Sequence, residues 1–572
     1  MKKLKLPIYI ILLILGATGL HAQQKRTINI IGGARSFIST NQIKVMDSIP
    51  DTTTVKKNNG GYALIDLGVD ITPNKSVEIL GMFRIKNYYG GFWGSGVSFD
   101  VRQLWLKGIV GNVFRYQLGD LNLKQTPFTL YNHHADRIDS LPDVFNLQNQ
   151  IISYEKFYIG NTWRQQGANI DFGLNFSKVI KELNFTGYLT RMQATNFFTV
   201  PDRLMGGATV NVVQGRHISF GYNGFWAFDV KGTAPDSNTY HNSVNTIELE
   251  YTTNLKNIGF EVKAEAGTSK SVYSQDVDAS LLKDYFIHGY ATIRLPKQYL
   301  DFTLGYLNVG PDFRSIGAQS KDINYSAAPE YYNRYTNAQV PRPLSVFDVV
   351  RNENIYNTSV TSTLMATNPV YNNVLPYGIA TFNTQGILAK INYKFPKGIA
   401  VNAEQYFLSE IRGQGTNSLK KFSQTKLLAQ IEINKLANFS RELKIQIGAN
   451  YQITSRKSDV TVEEVDLKSL QFQAGVEFEF IKKIDLLLGI VGLSNKGNDF
   501  LPVRNSYSKI EYFNSANYDL SQYLSAAGIR VRFLSDRIYL CALYQRSTYT
   551  DKINVNPDYQ LDQFALIFNM TF

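Results

Sequence analysis

From about Thr27 to its last residue the chain alternates apolar and polar positions with a period of two, in runs separated by polar connections. Between Lys444 and Thr454, Ile445, Ile447, Ala449, Tyr451 and Ile453 share one face. Lys444, Gln446, Gly448, Asn450, Gln452 and Thr454 share the other. Leu470 to Phe480 repeats the pattern: Leu470, Phe472, Ala474, Val476, Phe478 and Phe480 stand against Gln471, Gln473, Gly475, Glu477 and Glu479. Ser423 to Asn434 does so again, with Gln424, Lys426, Gln430, Glu432 and Asn434 on its polar face. Alternate side chains of a strand point to opposite sides of its sheet, so each run predicts a strand with one apolar and one polar face. The runs are roughly 9–13 residues long, enough to cross a bilayer at a tilt. No sustained helical period intervenes.

Connections alternate between short and long. The short turns fall at Pro73-Asn74-Lys75, Gly111-Asn112, Ser177 to Glu182, Gln214-Gly215-Arg216, Thr252 to Asn257, Pro296-Lys297-Gln298, Pro396-Lys397, Leu436 to Glu442, Ile481-Lys482-Lys483 and Leu534 to Arg537. They hold the Pro, Gly, Asn and Asp that tight turns require. Longer stretches lie between them, among them Thr40 to Asn59, Asn122 to Gln166, Pro311 to Gln385 and Asn495 to Asn517. Ten turns and about eleven loops predict about 22 strands, with a range of roughly 18 to 24 because two of the long regions can each hide a strand pair. The expected fold is all-β: a transmembrane, antiparallel, up-and-down β-barrel, with long outside loops at 122–166 and 311–385.

The ends of the chain sharpen this. In the last nine residues Phe564, Leu566, Phe568, Met570 and Phe572 share one face, and Ala565, Ile567, Asn569 and Thr571 the other. An open apolar edge strand invites aggregation in water, whereas a barrel closed in lipid has no edge. This segment resembles the C-terminal signal strand of Gram-negative outer-membrane β-barrels. The resemblance implies that Phe564, Phe568 and Phe572 form an assembly signal read by the barrel-assembly machinery, and that outer-membrane lipid is the surrounding partner. At the other end Lys2, Lys3 and Lys5 precede an apolar stretch from Leu6 to Leu15, then Gly16, Ala17, Gly19 and His21-Ala22. That is the pattern of a secretory signal peptide cut after Ala22. The expected division is residues 1–22 as signal and 23–572 as one barrel domain with no globular plug before the first strand. The porin-like, unplugged barrels are the class it resembles; no narrower family is indicated.

Composition agrees. The chain has 35 Tyr and 35 Phe, the aromatic richness of barrels with interfacial girdles. Its one Cys, Cys541, excludes an internal disulfide framework. Without Lys2, Lys3 and Lys5 the chain keeps 56 basic against 47 acidic side chains, a balance of +9 that favours anionic solutes or lipid. Nothing resembles a nucleic-acid motif, and no nucleic acid is expected as a partner.

Candidate chemistry is sparse. His133 and His134 lie beside Asp136 and Asp139 in a loop, and solvated polar residues are the expectation there, with no metal and no cofactor. Hydrolase and phosphate-loop motifs are absent, so no enzymatic activity and no catalytic residue is assigned. The polar strand faces carry more. Glu78, Arg84 and Lys86 oppose the apolar face of Val77–Ile85, and Asp100 and Arg102 alternate with Phe99 and Val101. Arg84 and Arg102 each lie about nine residues from a short turn, which places them at similar height on the inner wall. Glu248, Glu250, Glu261, Lys263 and Glu265 form an acidic cluster, and Arg530 and Arg532 a basic pair. These are the pore-lining candidates, with mutual ion pairing as the alternative. The leading function is a porin-like channel for small or medium solutes. The alternative is a structural barrel that docks a secretion, motility or surface-assembly partner among the envelope proteins, and an outer-membrane hydrolase ranks third. The loop from Pro311 to Gln385, rich in Tyr and Asn, either folds inward as a constriction or caps the barrel outside.

Overall fold

The computed structural model describes residues 28–45, 55–90, 96–134, 136, 140–234, 239–273, 281–327, 342–505, 508–533, 537–553 and 556–572. The signal-peptide segment and Asp139 lie outside them. Twenty-two antiparallel strands form one sheet in which each pairs with its neighbours along the chain. The sheet closes because β1 (Ile28–Val45) pairs both with β2 (Val55–Asn74) and with the last strand, Tyr559–Thr571. Phe572 completes the seam: its N–H donates to the Gly32 carbonyl and its own carbonyl accepts from Gly32 N–H, both at 2.9 Å.

The period of two sets which side faces lipid. Ile38, Ile65, Leu67, Phe83, Ile85, Leu189, Ile247, Leu304, Ile447 and Phe564 all point outward and are exposed. Their inward neighbours include Ser39, Asn41, Asp66, Arg84, Thr246, Gln446 and Gln563, all buried. An apolar exterior around a polar interior, with no free edge, is the arrangement that crosses a bilayer. The expected lipid-facing set behaves as one face: Ile445 pairs across strands with Val476, Ala449 with Phe472, and Val476 in turn with Leu488. An Arg in place of Val476 is therefore expected to cost about 2–4 kcal/mol of barrel stability. Folding of Val476→Arg in lipid vesicles, followed by heat-modified gel shift, measures it; a variant as stable as the parent would reverse the face assignment.

Strands run from 10 to 23 residues, the longest well beyond the roughly 9–11 that a bilayer requires. The surplus lies on the outer side. The stretch from Asn495 to Asn517, expected as a loop, is mostly paired strand, with one strand reaching Arg504 and the next starting at Ile510. Likewise β1 extends to Val45 and β2 starts at Val55, well inside the expected Thr40–Asn59 loop. Above the membrane no face needs to be apolar, so these hairpins keep their ladder without keeping the alternation that reveals it.

The two longest loops fold into the lumen. Residues 124–162 carry α1 (Asp143–Glu155), and residues 310–383 carry the short α2 (Val346–Arg351). Val144, Phe145 and Leu147 of α1 and Val346, Phe347 and Val350 of α2 pack on Leu487, Leu524, Leu543, Leu561 and Ala565 of the inner wall. Phe128, Leu130, Phe313 and Ile316 form a second core with Met205, Phe225, Phe286 and Leu307. The described parts of both loops thus pack on the inner wall of the barrel, the inward of the two arrangements open for Pro311–Gln385.

Candidate functional site in the barrel lumen

Two further strands complete the wall beside α1: β3 (Val77–Tyr88) and β4 (Val97–Val110). Met82 pairs with Gln103 and Phe83 with Val101, so Arg102 is an extra residue on the bulged strand. A bulge of this kind re-aims a side chain. Here it accompanies Arg102 turning inward, one residue above Gln103, beside Arg84.

The C-terminal end of α1 docks on these residues. Glu155 forms ion pairs with Arg35, with Arg84 Nη1 at 2.5 Å and with Arg102 Nη1 at 3.2 Å. Arg84 also makes a two-pronged contact with Asp66, with Nε and Nη2 each 2.7 Å from a carboxylate oxygen. The Tyr154 hydroxyl donates to Asp66 Oδ2 at 2.5 Å, and its ring lies 4.3 Å from the Arg102 guanidinium carbon. Arg35, Asp66, Arg84 and Arg102 are all buried. Arg164 extends the array: it donates to the Arg102 carbonyl at 2.6 Å, pairs with Asp120 at 2.9 Å and stacks on Phe157. Three guanidiniums face two carboxylates, so the cluster keeps one excess positive charge.

Burial opposes the charge on Glu155, but the hydrogen bond from Arg84 and the fields of Arg35, Arg102 and Arg84 outweigh it and hold its carboxyl at about 2, below the ordinary 4.5. Because the docked value is depressed, the carboxylate's contribution to docking is complete above pH 4.5 and is lost as pH falls toward 2. Protease sensitivity of α1 is expected to stay constant from pH 8 to 5 and to rise only under stronger acid. A rise near neutral pH would contradict this assignment.

Two cavities flank the cluster and share Ile151 as a wall. One, of about 170 Å³, is bounded by Phe37, Tyr62, Gln148, Arg351 and Glu353. The other, of about 290 Å³, is bounded by Arg35, Asp66, Tyr154, Tyr539 and Asn569. Along β1 and β2 they lie at successive heights, with Ile151 between them and Arg35 on the wall of the second.

The other sequence candidates are distributed differently. Glu78 pairs with Lys107 at 2.9 Å rather than with an arginine, and Lys86 sits 4.5 Å from the ring centres of Tyr62 and Tyr88. Asp100 faces Arg84 across the ladder but is exposed, and Arg84 turns to Asp66 instead. The expected acidic cluster is partly neutralised. Lys263 lies 2.5 Å from Glu248 and 3.9 Å from Glu250, Arg294 pairs with Glu261, and Glu265 is buried. The basic pair is also matched: Arg530 contacts Glu477 and Asp485, and Arg532 contacts Glu479 at 3.0 Å and Asp485 at 2.8 Å. In the outer loops His134 meets Asp322 at 2.7 Å while His133 points to the Pro127 carbonyl. Among the described residues no three His, Cys, Asp or Glu side chains converge on a metal position.

Arg35, Asp66 and Glu155 were missed by the sequence reading. Arg35 and Asp66 do carry its signal, as charged residues on the inward phase of their strands. Within the presumed loop Val144, Leu147, Ile151 and Ile152 recur at helical spacing, which marks α1 and puts Glu155 near its end.

No protein-family model matches the chain, and no curated protein matches its sequence. Among solved structures, Pseudomonas aeruginosa OccK11 (OpdR) is 8% identical, with 95% of this chain and 96% of that one covered and a TM-score of 0.34. Pseudomonas aeruginosa OccK5 (OpdH) is 10% identical, covering 95% and 98% with a TM-score of 0.34. The ferric citrate transporter FecA in its unliganded form is 9% identical, covering 95% and 78% with a TM-score of 0.47. None of these reaches 25% identity or a TM-score of 0.5.

Proposed function

We propose that the chain is an outer-membrane channel of a Gram-negative bacterium that passes small anionic solutes, narrowed by its own outer loops. The supporting observation is the position of Glu155. A chain carboxylate sits on Arg35, Arg84 and Arg102, and Arg35 and Asp66 of that cluster line a cavity along the inner wall. A solute anion competes for the same guanidiniums, and the excess positive charge favours it in a confined, poorly screened volume.

Arg84→Gln together with Arg102→Gln removes that bias while adding no acid to Asp66 and Glu155. The reversal potential in a salt gradient is expected to move toward cations, more strongly at low ionic strength, where the Debye length grows to about 30 Å at 0.01 M. An unchanged potential in a folded, conducting variant would remove both arginines from the selectivity path.

One observation favours a second reading, in which the outer loops dock an envelope partner. Phe197 and Phe198 are 76% and 73% exposed on the loop after Gln193. Asn196 Oδ1 holds that turn by accepting from the N–H groups of Phe198, Thr199 and Val200. A folded barrel that is electrically silent and co-purifies with another envelope protein would move the account there.

A further inference from the structure

We infer that the outer mouth of the barrel contains a binding site for a small inorganic anion, centred on Arg314. This site is separate from the lumen cluster and does not depend on the channel reading.

Arg314 lies in the 310–383 loop and is 4% exposed. Among the described residues its guanidinium meets no carboxylate. Nη1 donates to the backbone carbonyls of Phe313 at 2.7 Å and Pro311 at 3.3 Å, and Nε has no partner although buried. Arg504 is its neighbour across Phe382, the two guanidinium carbons standing 4.1 and 5.3 Å from that ring's centre. Among the described residues Arg504 also meets no carboxylate, donating to the Ser508 carbonyl at 2.8 Å and to Gln414 at 3.4 Å. The nearby acids are engaged elsewhere: Asp312 with both arms of Arg412, at 3.0 and 2.8 Å, and Asp229 with Arg203 at 2.6 Å.

A guanidinium does not shed its proton in a protein, and a buried charge is normally paired. Arg314 borders a small cavity of about 10 Å³, whose other walls include Tyr240, Ser271, Ser362, Thr363 and Ser508. These supply hydroxyl donors, and no carboxylate is among the described lining residues. The space is that of about one water-sized particle, so a monatomic anion fits it better than phosphate or an organic acid. A water there would solvate Arg314 but leave its charge unmatched. A halide matches the charge and ties the start of the 310–383 loop to Ser362 and Thr363 farther along it, to the outer turn at Ser508 and to the barrel wall.

The test uses the folded full-length barrel with bromide as probe. In gluconate at constant ionic strength the heat-modified gel shift is expected at a lower temperature than in bromide, and bromide titration should restore it with saturation. Arg314→Gln should abolish the saturable response. Thr363→Val, which leaves the arginine in place, should weaken the apparent bromide affinity by roughly tenfold, the loss of about one charge-assisted hydrogen bond. An anomalous bromide peak beside Arg314 in crystals supports the site even if Arg314→Gln fails to fold. No such peak, or a bromide response identical in parent and Thr363→Val, overturns it.

Discussion

The Glu155→Gln barrel is expected to insert normally and to admit anions faster than the parent. The substitution keeps the shape of the side chain and deletes its charge, leaving Asp66 as the one carboxylate against Arg35, Arg84 and Arg102. Breaking a buried pair by removing one partner costs about 3–5 kcal/mol, because the opposite charge stays behind. That cost falls on the docking of α1 and not on the strands, whose ladders do not involve Glu155. The excess positive charge of the cluster doubles at the same time. Swelling of proteoliposomes in small anionic solutes should therefore quicken several-fold, with little change for neutral solutes of similar size. Equal acceleration for neutral solutes would make the arginines bystanders to a purely steric plug.

Phe572→Ser is expected to deplete the barrel from the outer membrane while leaving it able to fold in detergent. The contacts that join this residue to Gly32 are backbone hydrogen bonds, and serine retains both. The side chain is half exposed on the lipid face, so its loss removes little packing. A large defect in cells combined with a small defect in detergent isolates recognition from stability, as the resemblance of Phe564, Phe568 and Phe572 to an assembly signal implies. Outer-membrane levels equal to the parent would dismiss that role.

The barrel was legible because lipid imposes a demand at every second residue. Ile445 to Ile453 and Leu470 to Phe480 follow that demand without interruption, and the Pro, Gly and Asn turns separate the strands at the periplasmic side. Legibility stopped where the demand stops. Asn495 to Arg504 pairs with Ile510 to Asn517 as strand above the bilayer, where Gly497, Asn498 and Ser515 are tolerated on either face. The lumen was harder still. Arg530 and Arg532 read as a basic pair because their partners Glu477, Glu479 and Asp485 come from two other strands. Arg84 and Arg102 were placed together by counting residues from their turns, but Glu155 reaches them from a loop helix 71 and 53 residues away in sequence. Apolar inward residues such as Ala565 and Ile567 make sense only once α1 is seen to pack on that wall.

Single-channel recording of the unmodified barrel in a planar bilayer, under a potassium chloride gradient, tests the central claim most directly. The account predicts discrete current steps whose reversal potential lies on the anion side. A correctly folded barrel that passes no current, alone and with Glu155→Gln, would contradict it.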